Sequence, residues 1–207
     1  MATPPETYDR IAEHFSATRE HPWPEIETFL EGRQGGVALD LGCGNARHAE
    51  LLAARADRII GFDASRGLLN QARERATDRV FPLALLQGDA ETLPIANNVV
   101  DLGVYVAVLH HLSPRSTRIR SLDEFARVLA PGGRGLISVW STERDSFDRQ
   151  EGFDTTVDWT LPDGETVPRY YHIYDPTEFR DDLADSSLQV IERFVATGNC
   201  YAVVGPD

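Results

Sequence analysis

One stretch, residues 37–52 (VALDLGCGNARHAELL), constrains the fold of this chain more than any other. An apolar run ends in Asp40, two glycines follow at positions 42 and 44, and a helical pattern begins directly after them. Glycine lets a backbone turn tightly and approach a ligand that a side chain would block. Taken alone, the turn fits a plain strand-to-helix connection as well as a nucleotide-type binding site.

Two further apolar runs also end in acidic residues. The run RIIGFD ends at Asp63, which follows Asp40 at the spacing where an acid meets a ribose diol, and LALLQGDA reaches Asp89 and Ala90. The carboxyl ends of successive parallel strands line one crevice, where doubly wound folds bind ligands. We therefore predict a binding site there, although each acid alone fits a solvated strand end.

Strand-like runs alternate with helical patterns from residue 37 onward, which predicts an α/β fold with a parallel sheet and helices on both faces. Seven strands are predicted, at residues 37–41, 58–63, 83–88, 100–106, 135–139, 189–196 and 201–204. Helices are predicted at 5–16, 24–31, 47–55 and 65–76, from 113 to 129, and from a cap at Asp175. We expect one domain, 1–207, with a helical cap at 1–33 and an irregular variable loop at 141–168.

Composition narrows the class of protein. No run is apolar enough to span a membrane and the N-terminus does not resemble a signal peptide, so we expect a soluble cytoplasmic protein. Two distant cysteines predict free thiols and no structural metal. The chain has 33 acidic residues against 20 basic ones, all arginine, which favours a cell with high internal salt. Such salt weakens the usual argument that a net charge of -13 excludes nucleic acid as a partner.

The ordered motifs Asp40-Leu-Gly-Cys-Gly, Asp63, Asp89-Ala90-Glu-Thr-Leu-Pro and Pro131-Gly-Gly resemble those of class I S-adenosylmethionine-dependent methyltransferases, a Rossmann-like seven-stranded family. The resemblance implies that the glycines approach the amino-acid part of the cofactor, that Asp63 holds the ribose and that Asp89 lies at the adenine. The residues assigned to cofactor binding are Tyr8, His14, Asp40, Gly42, Gly44, Asn45, Asp63, Ala64, Asp89, Ala90, Ala107 and Val108.

A narrower resemblance covers nearly the whole chain. The segments YDRIAEHFSATR (from Tyr8), PWP, AVLHHLS, RYYHIY (from Arg169) and GN are similar to those of the tRNA wobble-uridine carboxymethyl methyltransferases. That family esterifies the carboxylate of 5-carboxymethyluridine in the anticodon of tRNA. The resemblance also implies a small zinc-ribbon activator protein, which would add to the edge of the sheet at the third strand through Phe81, Leu83, Leu85 and Leu86.

A carboxylate substrate is already ionised at neutral pH, so it needs positioning rather than a general base. Arginine can grip a carboxylate at two points, and Arg19, Arg118 and Arg169 are the candidates. Each also fits a surface arginine without a role.

Four other residues are assigned to the methyl-accepting site. Tyr170 and His172 follow Arg169 in a segment that would stack an anticodon base, or would simply form a half-buried strand. Trp140 either shapes the pocket or fills the core. Neighbouring residues of an extended segment point in opposite directions, which argues against a metal site formed by the adjacent His110 and His111. We expect His110 to face the accepting oxygen and His111 to brace the following loop.

Two alternative functions remain. A small-molecule O-methyltransferase would keep the three acids but need no RNA surface. A catalytically silent cofactor-binding scaffold would need only the partner interface.

Overall fold

A seven-stranded sheet forms the centre of the computed structural model, which describes residues 3–207. Its strands lie side by side in the order β3 (Ala84–Gln87), β2 (Ala56–Asp63), β1 (Gly35–Leu41), β4 (Val100–Val106), β5 (Leu129–Trp140), β9 (Asn199–Pro206) and β8 (Leu188–Ala196). The first five run parallel, and β9 is antiparallel to both of its neighbours. The predicted α/β class and the seven-stranded count are confirmed.

Six helices of the described chain accompany the sheet: α1 (Pro4–Ala17), α2 (Pro24–Leu30), α3 (Arg47–Leu52), α4 (Arg66–Arg79), α5 (Arg115–Val128) and α6 (Pro176–Ala184). The predicted cap at Asp175 is present, since its carboxylate accepts the amide hydrogens of Thr177 and Glu178 at 2.8 and 3.0 Å. None of the helices within residues 3–207 is long and apolar enough to cross a membrane.

The packing of α5 on the sheet depends on two glycines that were not singled out in the sequence. A Cβ atom on Gly103 or on Gly135 would lie 2.6 Å from the ring of Phe125, which is fully buried. The missing side chains let the ring lie directly on the backbones of β4 and β5. Burying such a side chain contributes about 1.5–3 kcal/mol to stability.

The predicted irregular loop at 141–168 is only partly correct. Residues 153–173 form a separate antiparallel hairpin of β6 (Phe153–Thr160) and β7 (Thr166–Ile173). In β6, Phe153, Val157 and Trp159 alternate with polar residues, the pattern of a strand with one buried face. The high polarity of the other face conceals this strand in the sequence.

Helix α1 packs against α4 and is hydrogen-bonded to its first turn. The carboxylate of Asp9 accepts the Ser65 hydroxyl at 2.6 Å and the Gly67 amide at 2.8 Å, so a side chain of α1 satisfies the first turn of α4. A Cβ atom on Gly67 would lie 2.9 Å from that of Ala12, so the two helices are in close contact there. The N-terminal cap is therefore part of the same packed unit as the sheet.

Candidate active site

A cavity of about 660 Å³ lies at the carboxyl ends of β1 to β4 and is closed on one side by α1. Of the twelve residues predicted to bind a cofactor, ten line this cavity: Tyr8, Gly42, Gly44, Asn45, Asp63, Ala64, Asp89, Ala90, Ala107 and Val108. The structure thus brings together residues from the ends of four strands and from the N-terminal helix. The geometry agrees with the predicted crevice.

The glycine turn after β1 has the conformation that its sequence predicts. Gly42 and Gly44 have φ angles of +72° and +53°, which favour glycine. A Cβ atom on Gly42 would lie 2.1 Å from a methyl carbon of Val108, whereas one on Gly44 would meet nothing within 4 Å. The backbone at Gly44 therefore faces open space, and a ligand can approach it closely.

Asp63 connects this turn to the start of α4. Its two carboxylate oxygens accept the amide hydrogens of Gly44 and Ser65, each at 2.8 Å. Burial raises the pKa of Asp63, while these backbone hydrogen bonds act in the opposite direction. The carboxylate is thus held rigidly on the cavity wall.

Asp40 and His14 do not line the cavity, unlike the other predicted cofactor residues. Asp40 is 1% exposed, neither of its oxygens has a hydrogen-bond partner within residues 3–207, and burial raises its pKa to about 7. His14 is turned toward the hairpin, because its Nδ1 accepts the indole hydrogen of Trp159 at 3.1 Å. The prediction that His14 contacts the cofactor is therefore not supported by its position.

The two adjacent histidines do not occupy the positions expected from the sequence. Ala107 has a φ angle of +58°, and residues Leu109–His111 form a 3₁₀ turn, so the extended alternation assumed from the sequence does not apply. His111 lines the cavity. His110 is fully buried, accepts the amide hydrogen of Trp140 at its Nδ1 and stacks on Tyr171. Burial lowers the pKa of both rings, that of His111 to about 4.

His111 belongs to a hydrogen-bonded group that meets the cavity at Tyr8. Its Nδ1 donates to the carbonyl oxygen of Tyr170 at 2.9 Å, which leaves Nε2 to accept the hydroxyl hydrogen of Tyr8 at 3.0 Å. Arg169 donates through Nη1 to the same hydroxyl at 3.4 Å and to that of Tyr171 at 2.9 Å. The acceptor nitrogen of His111 is therefore already in use.

Arg169 is a buried cation that has no anionic partner in the described part of the chain. It is 6% exposed, its Nε has no hydrogen-bond partner, and no carboxylate of residues 3–207 lies within 4.0 Å of its nitrogens. The rings of Trp159 and Tyr171 lie 4.9 and 5.2 Å from its guanidinium carbon and stabilise it in part. Arg169 does not line the cavity itself but reaches it through the Tyr8 hydroxyl.

The other predicted arginines differ from Arg169. Arg118 is 4% exposed and donates to Glu178 and Asp182 at 3.2 and 3.3 Å, so its charge is already balanced and it cannot also hold a substrate. Arg19 lies outside the cavity wall, with its guanidinium 5.2 Å from the ring of Trp159. The prediction for Arg118 is corrected on these grounds.

The remaining candidates also separate into two groups. Tyr170 lines the cavity, whereas Trp140 packs on Tyr171 at 4.5 Å and lies outside it. His172 faces away from the cavity toward Asp154 and Glu178, which contact its two ring nitrogens. The direct contact with substrate predicted for His172 is thus not seen.

Arg47 lines the cavity but was not predicted from the sequence. It is the first residue of α3, directly after the glycine turn, and burial lowers its pKa to about 10. Its position after Gly44 is the signal that would have identified it. Within the described chain, no three His, Cys, Asp or Glu side chains are grouped so as to hold a metal ion.

Comparison with known proteins identifies relatives of this chain. The model of the methyltransferase domain family matches residues 39–137. A protein of Encephalitozoon cuniculi whose name assigns it to the methyltransferases is 33% identical over 205 residues, which are 95% of this chain and 92% of that protein. The tRNA (carboxymethyluridine(34)-5-O)-methyltransferases of Saccharomyces cerevisiae and Schizosaccharomyces pombe are 37% and 28% identical. The matches cover 79% and 96% of this chain, and 58% and 93% of those proteins.

Solved structures share the fold. A structure described as a DhpI–SAH complex superposes with a TM-score of 0.71 at 22% identity and covers 98% of this chain and 95% of that one. A methyltransferase solved as a complex with the Haloferax volcanii Trm112 methyltransferase activator gives a TM-score of 0.71 at 18% identity, covering 99% and 97%. At these identities the likeness concerns the fold alone.

Proposed function

Because this chain belongs to the S-adenosylmethionine-dependent methyltransferases, we propose that it transfers a methyl group to the carboxylate of 5-carboxymethyluridine at the wobble position of tRNA. The names of the two yeast relatives support this substrate, as does the resemblance along nearly the whole chain. The observation that carries the proposal is Arg169, a buried cation next to the cavity with which no carboxylate of residues 3–207 pairs.

The cavity fits the cofactor. The open backbone at Gly44 suits the amino-acid part of the cofactor, and the carboxylates of Asp63 and Asp89 suit a ribose diol. The apolar surface at Phe62 and Leu112 suits a base. When bound there, S-adenosylmethionine supplies a methyl group on a positively charged sulfur.

The residues of the acceptor site favour an acceptor that is already an anion. A free carboxylic acid has a pKa near 4 and is ionised at neutral pH, so no proton has to be removed. A carboxylate beside Tyr8 would lie in the field of Arg169, which donates to the Tyr8 hydroxyl through Nη1 at 3.4 Å. His111 is poorly suited to act as a general base, because its pKa is about 4 and its unprotonated Nε2 already accepts the Tyr8 hydroxyl hydrogen.

These residues therefore bind and orient the carboxylate while the cavity wall excludes water. A hydroxyl acceptor would instead need a base that Tyr8, His111 and Arg169 do not provide. The arrangement favours a carboxylate ester as the product over an ether.

We propose further that a small zinc-ribbon activator binds along β3. This strand is one of the two edges of the sheet, β8 being the other, and Val80 just before it is 86% exposed. Phe81 and Leu83, which precede the strand, and Leu85 within it are only partly buried. An exposed apolar edge favours strand addition by a partner, and the fold relative solved with an activator supports one of this kind.

The test is methyl transfer from labelled cofactor in molar potassium chloride, with and without the activator. The acceptors are tRNA carrying 5-carboxymethyluridine and the same tRNA lacking the carboxymethyl group. We expect label only on the modified tRNA, removable by mild base as an ester is. Absence of label on modified tRNA with the activator present, or base-stable label, would overturn the proposal.

A further inference from the structure

We propose that His172 is a positioning residue, which holds the wall of the acceptor site in place only while its imidazole ring carries a proton on both nitrogens. The effect on catalysis rests on the proposed function, whereas the state of the ring does not.

The geometry around the ring requires two donors. Nδ1 lies 2.7 Å from a carboxylate oxygen of Asp154, and Nε2 lies 2.8 Å from one of Glu178. An ionised carboxylate only accepts hydrogen bonds, and a neutral imidazole has a single N–H. Both contacts are therefore hydrogen bonds only when the ring is an imidazolium, and the ring is 7% exposed, so water cannot readily replace a lost partner.

The charged groups that face the ring come from three elements. Asp154 belongs to β6 and Glu178 to α6, while Arg118 of α5 donates to Glu178 at 3.2 Å. The ring of Tyr174 packs edge-on at 4.7 Å. Burial lowers the pKa of His172, but the hydrogen bonds to Glu178 and Asp154 outweigh burial and Arg118, so the pKa is raised overall.

His172 connects the hairpin to the body of the protein. The oxygen of Asp154 that it contacts also accepts the Tyr170 hydroxyl at 2.9 Å. Tyr170 lines the cavity, and its carbonyl oxygen fixes the orientation of His111. Loss of one contact of His172 thus loosens the support of two cavity-lining residues.

The direction of the pH dependence follows from the raised pKa. The stabilising contribution is fully present below about pH 6.5, the ordinary value for histidine, and is lost as the pH rises through the higher value of the folded state. Methyl transfer should therefore fall on the alkaline side. A histidine acting as general base would produce the opposite, a fall toward acid.

Asp154→Asn is the decisive variant. Its amide can donate to an unprotonated Nδ1 while Nε2–H still donates to Glu178, so a neutral ring is satisfied. The side chain of Asp154 is 63% exposed, and the change should leave the fold intact. Asp158→Asn is the matched control, because Asp158 lies on the same exposed face of β6 and is distant in register from His172.

Two measurements test the proposal. Nitrogen-15 NMR of the imidazole rings, with the His172→Gln protein to assign the signal, should show both nitrogens of His172 protonated at pH 6 and a titration above 6.5. In wild type and Asp158→Asn, kcat/KM with modified tRNA should fall by about tenfold through that titration, the effect of one charge-assisted hydrogen bond. In Asp154→Asn the fall should be absent.

A ring that is singly protonated at pH 6, or identical pH profiles for Asp154→Asn and Asp158→Asn, would overturn the inference. If no variant methylates tRNA at all, the proposed function fails. The NMR titration then still decides the state of His172.

Discussion

Arg169 and Arg118 are both buried arginines. Replacing each with methionine tests whether the first is needed to bind the substrate carboxylate and the second to stabilise the fold. Arg118 donates to Glu178 and Asp182, whereas no carboxylate within residues 3–207 pairs with Arg169. The two variants remove the same charge and a similar volume. Their different surroundings predict opposite consequences.

The expected changes in stability follow from the partners. Removing one member of a buried ion pair costs about 3–5 kcal/mol. Asp182 keeps hydrogen bonds from Arg115 and Tyr174, so we expect about 2–4 kcal/mol for Arg118→Met. At about 2–4 °C per kcal/mol for a chain of this size, the melting temperature falls by about 4–16 °C. Arg169→Met leaves no carboxylate unpaired and should change stability by less than about 1 kcal/mol.

For activity, the larger loss is expected in Arg169→Met and the smaller one in Arg118→Met. Removing a cation that binds and positions a buried anion costs about 2–4 kcal/mol, so kcat/KM of Arg169→Met should fall by about 30- to 700-fold. Arg118→Met, assayed where it is fully folded, should stay within about fivefold of wild type. The assays are methyl transfer to modified tRNA and differential scanning calorimetry, both in molar salt.

Two results would refute this reasoning. If Arg169→Met retains its kcat/KM, the substrate carboxylate is not held there. If it loses stability as Arg118→Met does, its charge is needed by the fold rather than by a ligand. Binding of the cofactor, measured by calorimetry, should be the same in all three proteins.

Three further changes have defined outcomes. Gly42→Ala should weaken cofactor binding by at least about tenfold in calorimetry, since strain at positive φ adds to a clash with Val108, whereas Gly32→Ala, strained but with nothing within 4 Å, should not. Burial raises the pKa of Asp40 to about 7, so the free energy of unfolding of the wild type should fall by up to about 4 kcal/mol as the pH rises from 4 to 7. This fall should be absent in Asp40→Asn, and denaturant melts that show the same pH dependence in both proteins would contradict this. Val80→Arg should abolish co-purification of the activator without lowering the melting temperature, and normal co-purification would exclude β3 as its site.

The sheet was predictable from the alternation of strand-like and helical patterns, and the cofactor crevice because β1 leads directly into Gly42 and β2 ends at Asp63. Residues such as Asp63 and Gly44 carry their role in their position after a strand, which needs no long-range information. Ten of twelve cofactor predictions therefore lie on one cavity wall.

The acceptor site was less predictable because it depends on contacts between distant segments. The orientation of the histidine pair follows from the left-handed backbone of Ala107, which no local residue preference indicates. The carboxylate partners of Arg118 come from α6, some 60 residues further along the chain. Arg118 and Arg169 look alike in the sequence, which cannot show that only Arg118 is paired with carboxylates of the described chain.

The contact of Asp9 with the start of α4 has a consequence for how ligands enter and leave. Since α1 closes one side of the cavity, moving it away breaks the hydrogen bond from the Gly67 amide to Asp9. That amide then becomes free to exchange its hydrogen with solvent. Its deuterium uptake should therefore report how often the binding site opens, and should slow when cofactor is bound.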